Sequence, residues 1–438
     1  MRHSDTIGDM TTSLLTNAHA HCEDLADYVV ASPSSYHAAQ ETARRLTACG
    51  WVEQDENEPW DVSEGGHFLV RDGAIMGWVV PAGAGVDSSF RIVGTHTDSP
   101  SFKLKPRPAI DRYGWQSVGV EIYGGPLMNS WLDRDLGLAG RVADKEGTIH
   151  LVRTGPVARI PQLAIHLDRQ ISDAGLKLDR QQHTAPICAV GDESVDILDV
   201  VARTAGLRAE DITGHDVYLY DTQRPAIIGV NEDLFASARL DNLSSTHATL
   251  TALEDLTPTG RDILVFAAFD HEEVGSATRS GAAGPLLEDV LTRTAHALGA
   301  DPDQTAAMFA RSALLSVDAG HAVHPNYAER HDPDNRPLLN AGPLLKVNSQ
   351  QRYATDAVGT SLWARACAAA EADWQVFVSN NAMPCGSTIG PISTTRLGIT
   401  TVDVGVPLLS MHSARELAGV YDLVSLRQII AAFYCLED

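Results

Sequence analysis

Hydrophobic and polar positions alternate between two textures along this chain. From Ile263 to Phe269 seven residues run without a polar position, which predicts a strand buried on both faces rather than one lying at the surface. Shorter strand-like runs, each mainly apolar, occur at Phe90–Gly94, Ala313–Val317, Trp374–Val378 and Thr400–Val404, and strand-like pairs at His67–Arg71 and Ala74–Val80. Between them lie helical stretches: Leu14–Val30, Ala38–Leu46 after the break Ser32-Pro33-Ser34-Ser35, Leu240–Leu256, an alanine-rich region up to Phe309, and Leu423–Tyr434. Residues Met1 to about Thr12 are polar and expected to be loosely held. From about Ser101 to Ile228 the texture changes to short alternating strands with Gly and Asp turns, at Val118–Tyr123, Leu138–Ala143 and Thr148–Val152, and one helical segment near Asp192–Ala205. Lys103-Leu104-Lys105-Pro106-Arg107-Pro108 reads as a basic, proline-broken connector into this region. The pattern predicts an α/β unit made of residues 1–100 and 229–438, interrupted by a β-rich second domain at 101–228.

At 438 residues there is ample chain for two such units. Lysine and arginine number 33 against 57 aspartates and glutamates, a formal charge of −24, which argues against nucleic acid and anionic membrane as general partners. With no basic-apolar leader and no span-length apolar run, a cytoplasmic location is expected. The six cysteines are scattered without a Cys-x-x-Cys pair, which fits reduced thiols and offers no cysteine-built zinc site.

The chemistry collects where the apolar runs stop. Ile263–Phe269 ends in Asp270-His271-Glu272-Glu273, and Phe90–Gly94 leads into Thr95-His96-Thr97-Asp98. Ala313–Val317 is followed by Asp318, and Thr400–Val404 by a short loop to His412. Open α/β sheets build their sites beyond the carboxyl ends of strands, so groups distant in sequence gather there. Adjacent carboxylates repel unless a cation sits between them. Two histidines and three carboxylates without cysteine suit two divalent ions bridged by one carboxylate, about 3.5–4 Å apart. A further glutamate outside the ligand set could take a proton from water acidified by such an ion to a pKa of roughly 7, which is the chemistry of amide or ester hydrolysis. Each group also has a plainer role: a polar loop after a core strand, a turn closed by Asp98-Ser99-Pro100, an N-cap for Asp241, a core histidine for His166.

Taken together, Gly94-Thr95-His96-Thr97-Asp98-Ser99-Pro100, Arg239-Leu240-Asp241-Asn242, Glu272-Glu273-Val274-Gly275-Ser276, His321-Ala322-Val323-His324-Pro325, Lys346-Val347-Asn348-Ser349, Pro384-Cys385-Gly386-Ser387-Thr388 and Met411-His412-Ser413 resemble, in order and spacing, the successive signatures of the aspartyl aminopeptidase family. The resemblance implies a central mixed sheet flanked by helices, of zinc-peptidase type, with an inserted β-rich dimerisation domain. It implies two divalent metal ions per subunit, zinc first, with manganese or cobalt as alternatives. His96, Asp241 and Asp318 would hold one ion, and Asp241, Glu273 and His412 the other. Glu272 would be the general base and Asp98 would orient His96. His166 would reach into the cleft of a neighbouring subunit, and His321, Lys346 and Tyr353 would contact substrate, with Arg352 divided between a substrate and an interface role. The implied activity is removal of N-terminal Asp or Glu from peptides by metal-bound hydroxide, in a homo-oligomer built from dimers into a dodecamer. Where many relatives carry an acid before Met-Pro-Cys-Gly, this chain has Asn381-Ala382, so the substrate amine would be held differently. Two other readings remain: a related metallohydrolase deacylating small amides, and a scaffold without catalysis.

Overall fold

Strand Ile263–Phe269 is buried at every position because it has a neighbour on each side: Ala74–Val80 antiparallel and Phe90–His96 parallel. Its side chains alternate between two apolar layers, as the period of two in a strand demands. Leu264, Phe266 and Ala268 enter one core with helices Ser4–Ala31, Ser35–Ala48, Leu240–Glu254, Ala357–Ala369 and Val420–Tyr434. Ile263, Val265, Ala267 and Phe269 enter the other, with helices Leu286–Ala297, Pro302–Arg311 and Ile389–Leu397. Truncating a residue such as Phe266 to alanine in so dense a layer costs about 3–5 kcal/mol. The structure is a computed structural model that describes residues 4–191 and 195–436.

Among the described residues nine strands form the central sheet. Its middle, Ile263–Phe269, Phe90–His96, Ala313–Val317 and Thr400–Gly405, is parallel throughout, and both flanks contain antiparallel pairs, so the sheet is mixed. A five-stranded sheet made of Ala226–Ile228, Leu234–Ser237, Glu416–Gly419, Pro407–Leu409 and Gly320–His321 lies beside it. A six-stranded sheet takes all its strands from Ser101 to Asp221 and encloses its own core of Phe102, Leu104, Val118, Leu138, Val217 and Leu219. The fold is thus mixed α/β with several sheets and helices.

Several expectations change. The connector at Lys103–Pro108 is part of a twelve-residue strand, Ser101–Arg112; its two prolines fall where the register breaks between Leu104 and Ala109, where no ladder donor is required. The first helix begins at Ser4 rather than Leu14, because elongating a packed helix is easier than nucleating one; the rest of the expected loose terminus lies outside the described residues. The helix expected from Asp192 covers Ile197–Thr204, capped by Asp196, with residues 192–194 outside the described set. Helices Ala357–Ala369 and Ile389–Leu397 were not expected; each begins behind a capping side chain, Asp356 and Thr388.

Candidate active site

Register brings the first groups together. His96 stands opposite Phe269, and Gly94 opposite Ser316, so the residues following all three parallel strands emerge at one edge of the sheet. Asp241 arrives from the start of helix Leu240–Glu254. Arg239, with φ at 57°, turns the chain, and Asp241 and Asn242 keep non-helical angles. The N-cap role is not taken up: the N-cap position is Arg239, and the Asp241 carboxylate faces the histidines instead. His412 sits in the loop between strands Pro407–Leu409 and Glu416–Gly419, with φ at 65°.

Asp241 lies between the two imidazoles. Its Oδ1 is 3.3 Å from His96 Nε2 and its Oδ2 is 3.3 Å from His412 Nε2. Asp318 Oδ1 stands 3.6 Å from His96 Nε2, and Glu273 Oε1 stands 3.4 Å from His412 Nε2. Glu272 Oε2 is further out, 4.0 Å from His96 Nε2. Asp241 Oδ1 and Glu273 Oε1 are buried without a hydrogen-bond donor, an expensive state for carboxylate oxygens unless a cation lies between them. Charge-assisted hydrogen bonds are shorter, about 2.7–2.9 Å. Ligands bound at about 2.0–2.2 Å in a tetrahedron stand about 3.3–3.6 Å apart. Ligand atoms of His96, Asp241 and Glu273 all lie within 4.8 Å of one another. The residues present fit a divalent metal.

The electrostatics express the same deficit of positive charge. Burial, followed by the neighbouring Asp241, drives the Glu273 carboxyl well above its usual range. Burial also pushes Glu272 up to about 8, with Asp318, Asp98 and Asp241 adding to the rise. Burial disfavours a charged His96, but Asp241, Asp318 and Asp98 outweigh it and raise the imidazole.

Asp98 does more than face His96. The His96 Nδ1 is 3.0 Å from the Asp98 carbonyl and 3.4 Å from its Oδ1. The carboxylate accepts the Glu272 N–H on Oδ1 at 3.0 Å and the Glu273 N–H on Oδ2 at 3.1 Å. His271 turns away from the cluster, its Nδ1 lying 3.1 Å from Thr278 Oγ1.

A cleft of about 410 Å³ opens over the cluster, lined in part by Lys346, Tyr353, His321, Ser387 and Thr388. Lys346 is 1% exposed; its ammonium donates to the Ala319 carbonyl at 2.7 Å and lies 5.5 Å from the centre of the Tyr353 ring. The buried Asp403 carboxylate feels its charge. His321 is open to the cleft on one side and enclosed by protein on the others; that enclosure, with Lys346 nearby, lowers its pKa to about 4. His324 instead binds its own loop, accepting the Asn326 N–H. Arg352 is exposed outside the cleft and donates to the Gly386 carbonyl at 3.3 Å. Asn380 ties down the segment that lacks the acid, through the Glu329 and His331 carbonyls and the Ala382 N–H. His166 is not brought to the cluster within the chain; it lies on an exposed stretch, with Leu163, Ile165 and Leu167 exposed around it.

Two contributors escaped the sequence. Glu416, buried, accepts the backbone N–H of Asp241 and of His412. Tyr123, from the six-stranded sheet, donates its hydroxyl to Asp98. A carboxylate opening the short apolar run Leu417–Val420 could have pointed to Glu416; nothing in the sequence pointed to Tyr123.

A family model described as aminopeptidase I zinc metalloprotease (M18) matches residues 28–434. The chain is 50% identical over 419 residues to a probable M18 family aminopeptidase 2 of Streptomyces coelicolor, covering 94% of this chain and 97% of that protein. To a probable M18 family aminopeptidase 2 of Pseudomonas fluorescens it is 43% identical over 428 residues, with 95% and 98% covered. Among solved structures it is similar to a chain in a cryo-electron microscopy structure of the Ape4 and Nbr1 complex, with a TM-score of 0.91, 33% identity, and 95% of this chain and 86% of that one covered. It is also similar to the S. cerevisiae mApe1 dodecamer, with a TM-score of 0.83, 27% identity, and 94% and 96% covered.

Proposed function

The chain belongs to the M18 family of zinc metallo-aminopeptidases, and on that premise we propose that it removes N-terminal Asp and Glu from peptides, using two divalent ions gathered around Asp241. The observation that carries the reading is that Asp241 presents one oxygen to each of two histidines, while buried carboxylate oxygens beside them lack any donor. His96, Asp241 and Asp318 would hold one ion, and Asp241, Glu273 and His412 the other, with Asp241 shared. Zinc is the first choice, and manganese or cobalt suits the same donors. Ions so held supply Lewis acidity, polarising the scissile carbonyl and lowering the pKa of water. Glu272, outside both ligand sets, takes the proton of the attacking water and returns it to the departing amine. Asp98 holds the peptide groups of Glu272 and Glu273, which keeps base and ligand in fixed relation.

Lys346 supports the acidic preference. A buried ammonium held directly by a backbone carbonyl, and balanced only at longer range by Asp403, favours a substrate that brings a carboxylate. Tyr353 walls the same part of the cleft, and His321 offers a neutral imidazole to substrate. The net charge of −24 repels acidic peptides at long range, so this selectivity is local.

The proposal extends to assembly. Residues 101–228 form the dimerisation unit and 1–100 with 229–438 the catalytic one, a division supported by a six-stranded sheet drawn wholly from the former. The exposed apolar side chains beside His166 suit burial against a second subunit, whose cleft His166 would complete. A homo-oligomer built from dimers follows, with a dodecamer as its expected size. Among the described residues no helix is long and apolar enough to cross a membrane; the proposed location is the cytoplasm.

The test uses chelated protein restored with zinc, manganese or cobalt and assayed on Asp, Glu, Leu, Ala and Lys aminoacyl reporters and on N-acyl amides. Metal-dependent release confined to Asp and Glu is expected. Cleavage of all five reporters would remove Lys346 as the selector. Turnover of acyl amides alone would favour the deacylase, and no turnover with metal bound would favour a scaffold.

A further inference from the structure

Strand Trp115–Tyr123 belongs to the six-stranded sheet, yet its last residue and the two that follow touch the candidate active site at three places. The Tyr123 hydroxyl donates to Asp98 Oδ2 at 2.7 Å. The Gly125 carbonyl lies 3.1 Å from His412 Nδ1. Between them Gly124, with φ at +68°, passes so near Glu273 that a Cβ on it would stand 3.1 Å from the Glu273 Cβ. The same run then joins the His412 loop: the Leu127 N–H donates to the His412 carbonyl at 2.9 Å, and Ser130 Oγ accepts the Ala414 N–H at 2.8 Å. Beside these contacts lies a small cavity of about 40 Å³, lined from both units by Asp98, Tyr123 and Tyr218 together with apolar groups such as Pro100, Trp131 and Leu219.

We propose that Tyr123–Gly125 is a positioning strap for the metal centre, through which the placement of the six-stranded sheet sets the orientation of His412 and of the Glu272–Glu273 peptides. The Tyr123 hydroxyl adds a third donor to a carboxylate already holding the two glutamate N–H groups, so neither Asp98 oxygen is free to rotate away. The Gly125 carbonyl requires the proton of His412 on Nδ1, which leaves the Nε2 lone pair facing Asp241 and Glu273. Tyr123, Gly124 and Gly125 are positioning residues: they act on ligands and base, and none lines the substrate cleft. The sheet that ends in this strap also belongs to the unit bearing His166, so a displacement of that unit is transmitted to the ligands directly.

The inference rests on the metal-centre reading above, and the measurements separate the two. Tyr123→Phe deletes the donor and keeps the ring packed edge-on to Tyr218, at 5.2 Å between centroids. Tyr220→Phe is the matched control, because it deletes a buried hydroxyl of the same sheet that donates to the Thr154 carbonyl at 2.6 Å. Zinc affinity by chelator competition, kcat and KM on an aspartyl reporter, the absorption spectrum of cobalt-substituted protein and the melting midpoint of metal-free protein are compared. Tyr123→Phe should lose roughly 10–100-fold in zinc affinity or kcat with KM within about twofold, change the cobalt spectrum, and melt metal-free like Tyr220→Phe. Gly124→Ala should weaken zinc binding as well, by displacing Glu273. Tyr220→Phe should bind zinc and turn over as the parent does. Parental zinc affinity, kcat and cobalt spectrum in Tyr123→Phe, or an equal loss in Tyr220→Phe, would overturn the strap while leaving the metal centre standing. A parent protein that binds no zinc would remove the metal centre and the strap with it.

Discussion

The carboxylate of Glu416 accepts the backbone N–H of Asp241 at 3.0 Å. Its other oxygen accepts the backbone N–H of His412 at 2.7 Å. One buried side chain therefore positions two residues that are 171 apart in sequence (412 − 241) and face each other across the cluster. Replacing Glu416 with glutamine substitutes an amide NH₂, which cannot accept, for one of those oxygens. A buried N–H left unpaired costs about 1–3 kcal/mol, and the change should weaken zinc binding by roughly 10–100-fold. Chelator competition and denaturant titration of Glu416→Gln read the two losses separately.

Glu272→Gln tests the base. The amide keeps the shape of the side chain and cannot take a proton, so kcat should fall by about 10²–10⁴-fold. Metal content by elemental analysis and the melting midpoint should match the parent. Substantial turnover in this variant would require another base.

Lys346→Met removes the charge and keeps most of the stem. If the ammonium pairs with the substrate carboxylate, kcat/KM on Asp and Glu reporters should fall by about 1.5–3 kcal/mol, roughly 10–150-fold. Leu and Ala reporters should change little. Equal losses across the panel would place selectivity elsewhere in the cleft.

Acid stability gives a prediction remote from the cluster. Asp24 lies within hydrogen-bond distance of His247 Nε2 at 2.7 Å and accepts from both terminal nitrogens of Arg45, which also binds Glu254. Burial works to raise its pKa, but His247 and Arg45 prevail and hold it well below the usual carboxylate range. A depressed carboxylate contributes stability that is complete above its unfolded pKa of 3.8 and is lost as pH falls towards the folded value. Asp24→Asn should therefore be less stable than the parent at pH 7, by about 1 kcal/mol because the half-open site is screened by solvent. The two should converge as pH drops below about 4. Urea titrations at a series of pH values check the convergence.

Part of this molecule could be read without coordinates. Ile263–Phe269 and Ala313–Val317 form strands over the ranges their sequences predict, because every position of each is buried in the sheet and the polar residues that flank them mark the ends. The candidate ligands could be listed for a related reason. A chemically distinctive group right after an apolar run stands out, and parallel strands carry such groups to one edge. Ser101–Arg112 was missed because its prolines read as breaks, and only the paired strand reveals that they coincide with a register shift. Helix Ile389–Leu397 was missed because its Gly, Pro and Thr residues carry little helical preference; its place under the sheet, with Ile389 buried in the same apolar layer as Leu314 and Ile92, is decided by packing.

The sequence by itself determined the alternation of core strands and helices, the β-rich stretch from Ser101, and an inventory of histidines and carboxylates able to hold metal, since these depend on side-chain chemistry and local period. Only the tertiary structure decided which atoms meet. The Asp98 carboxylate binds the glutamate peptides while its carbonyl takes His96, Glu416 stands behind Asp241, and a carbonyl from Gly125 orients His412. These are contacts of backbone groups, which every residue carries alike, so no residue code announces them; they exist only where the fold brings distant peptide groups within hydrogen-bond reach.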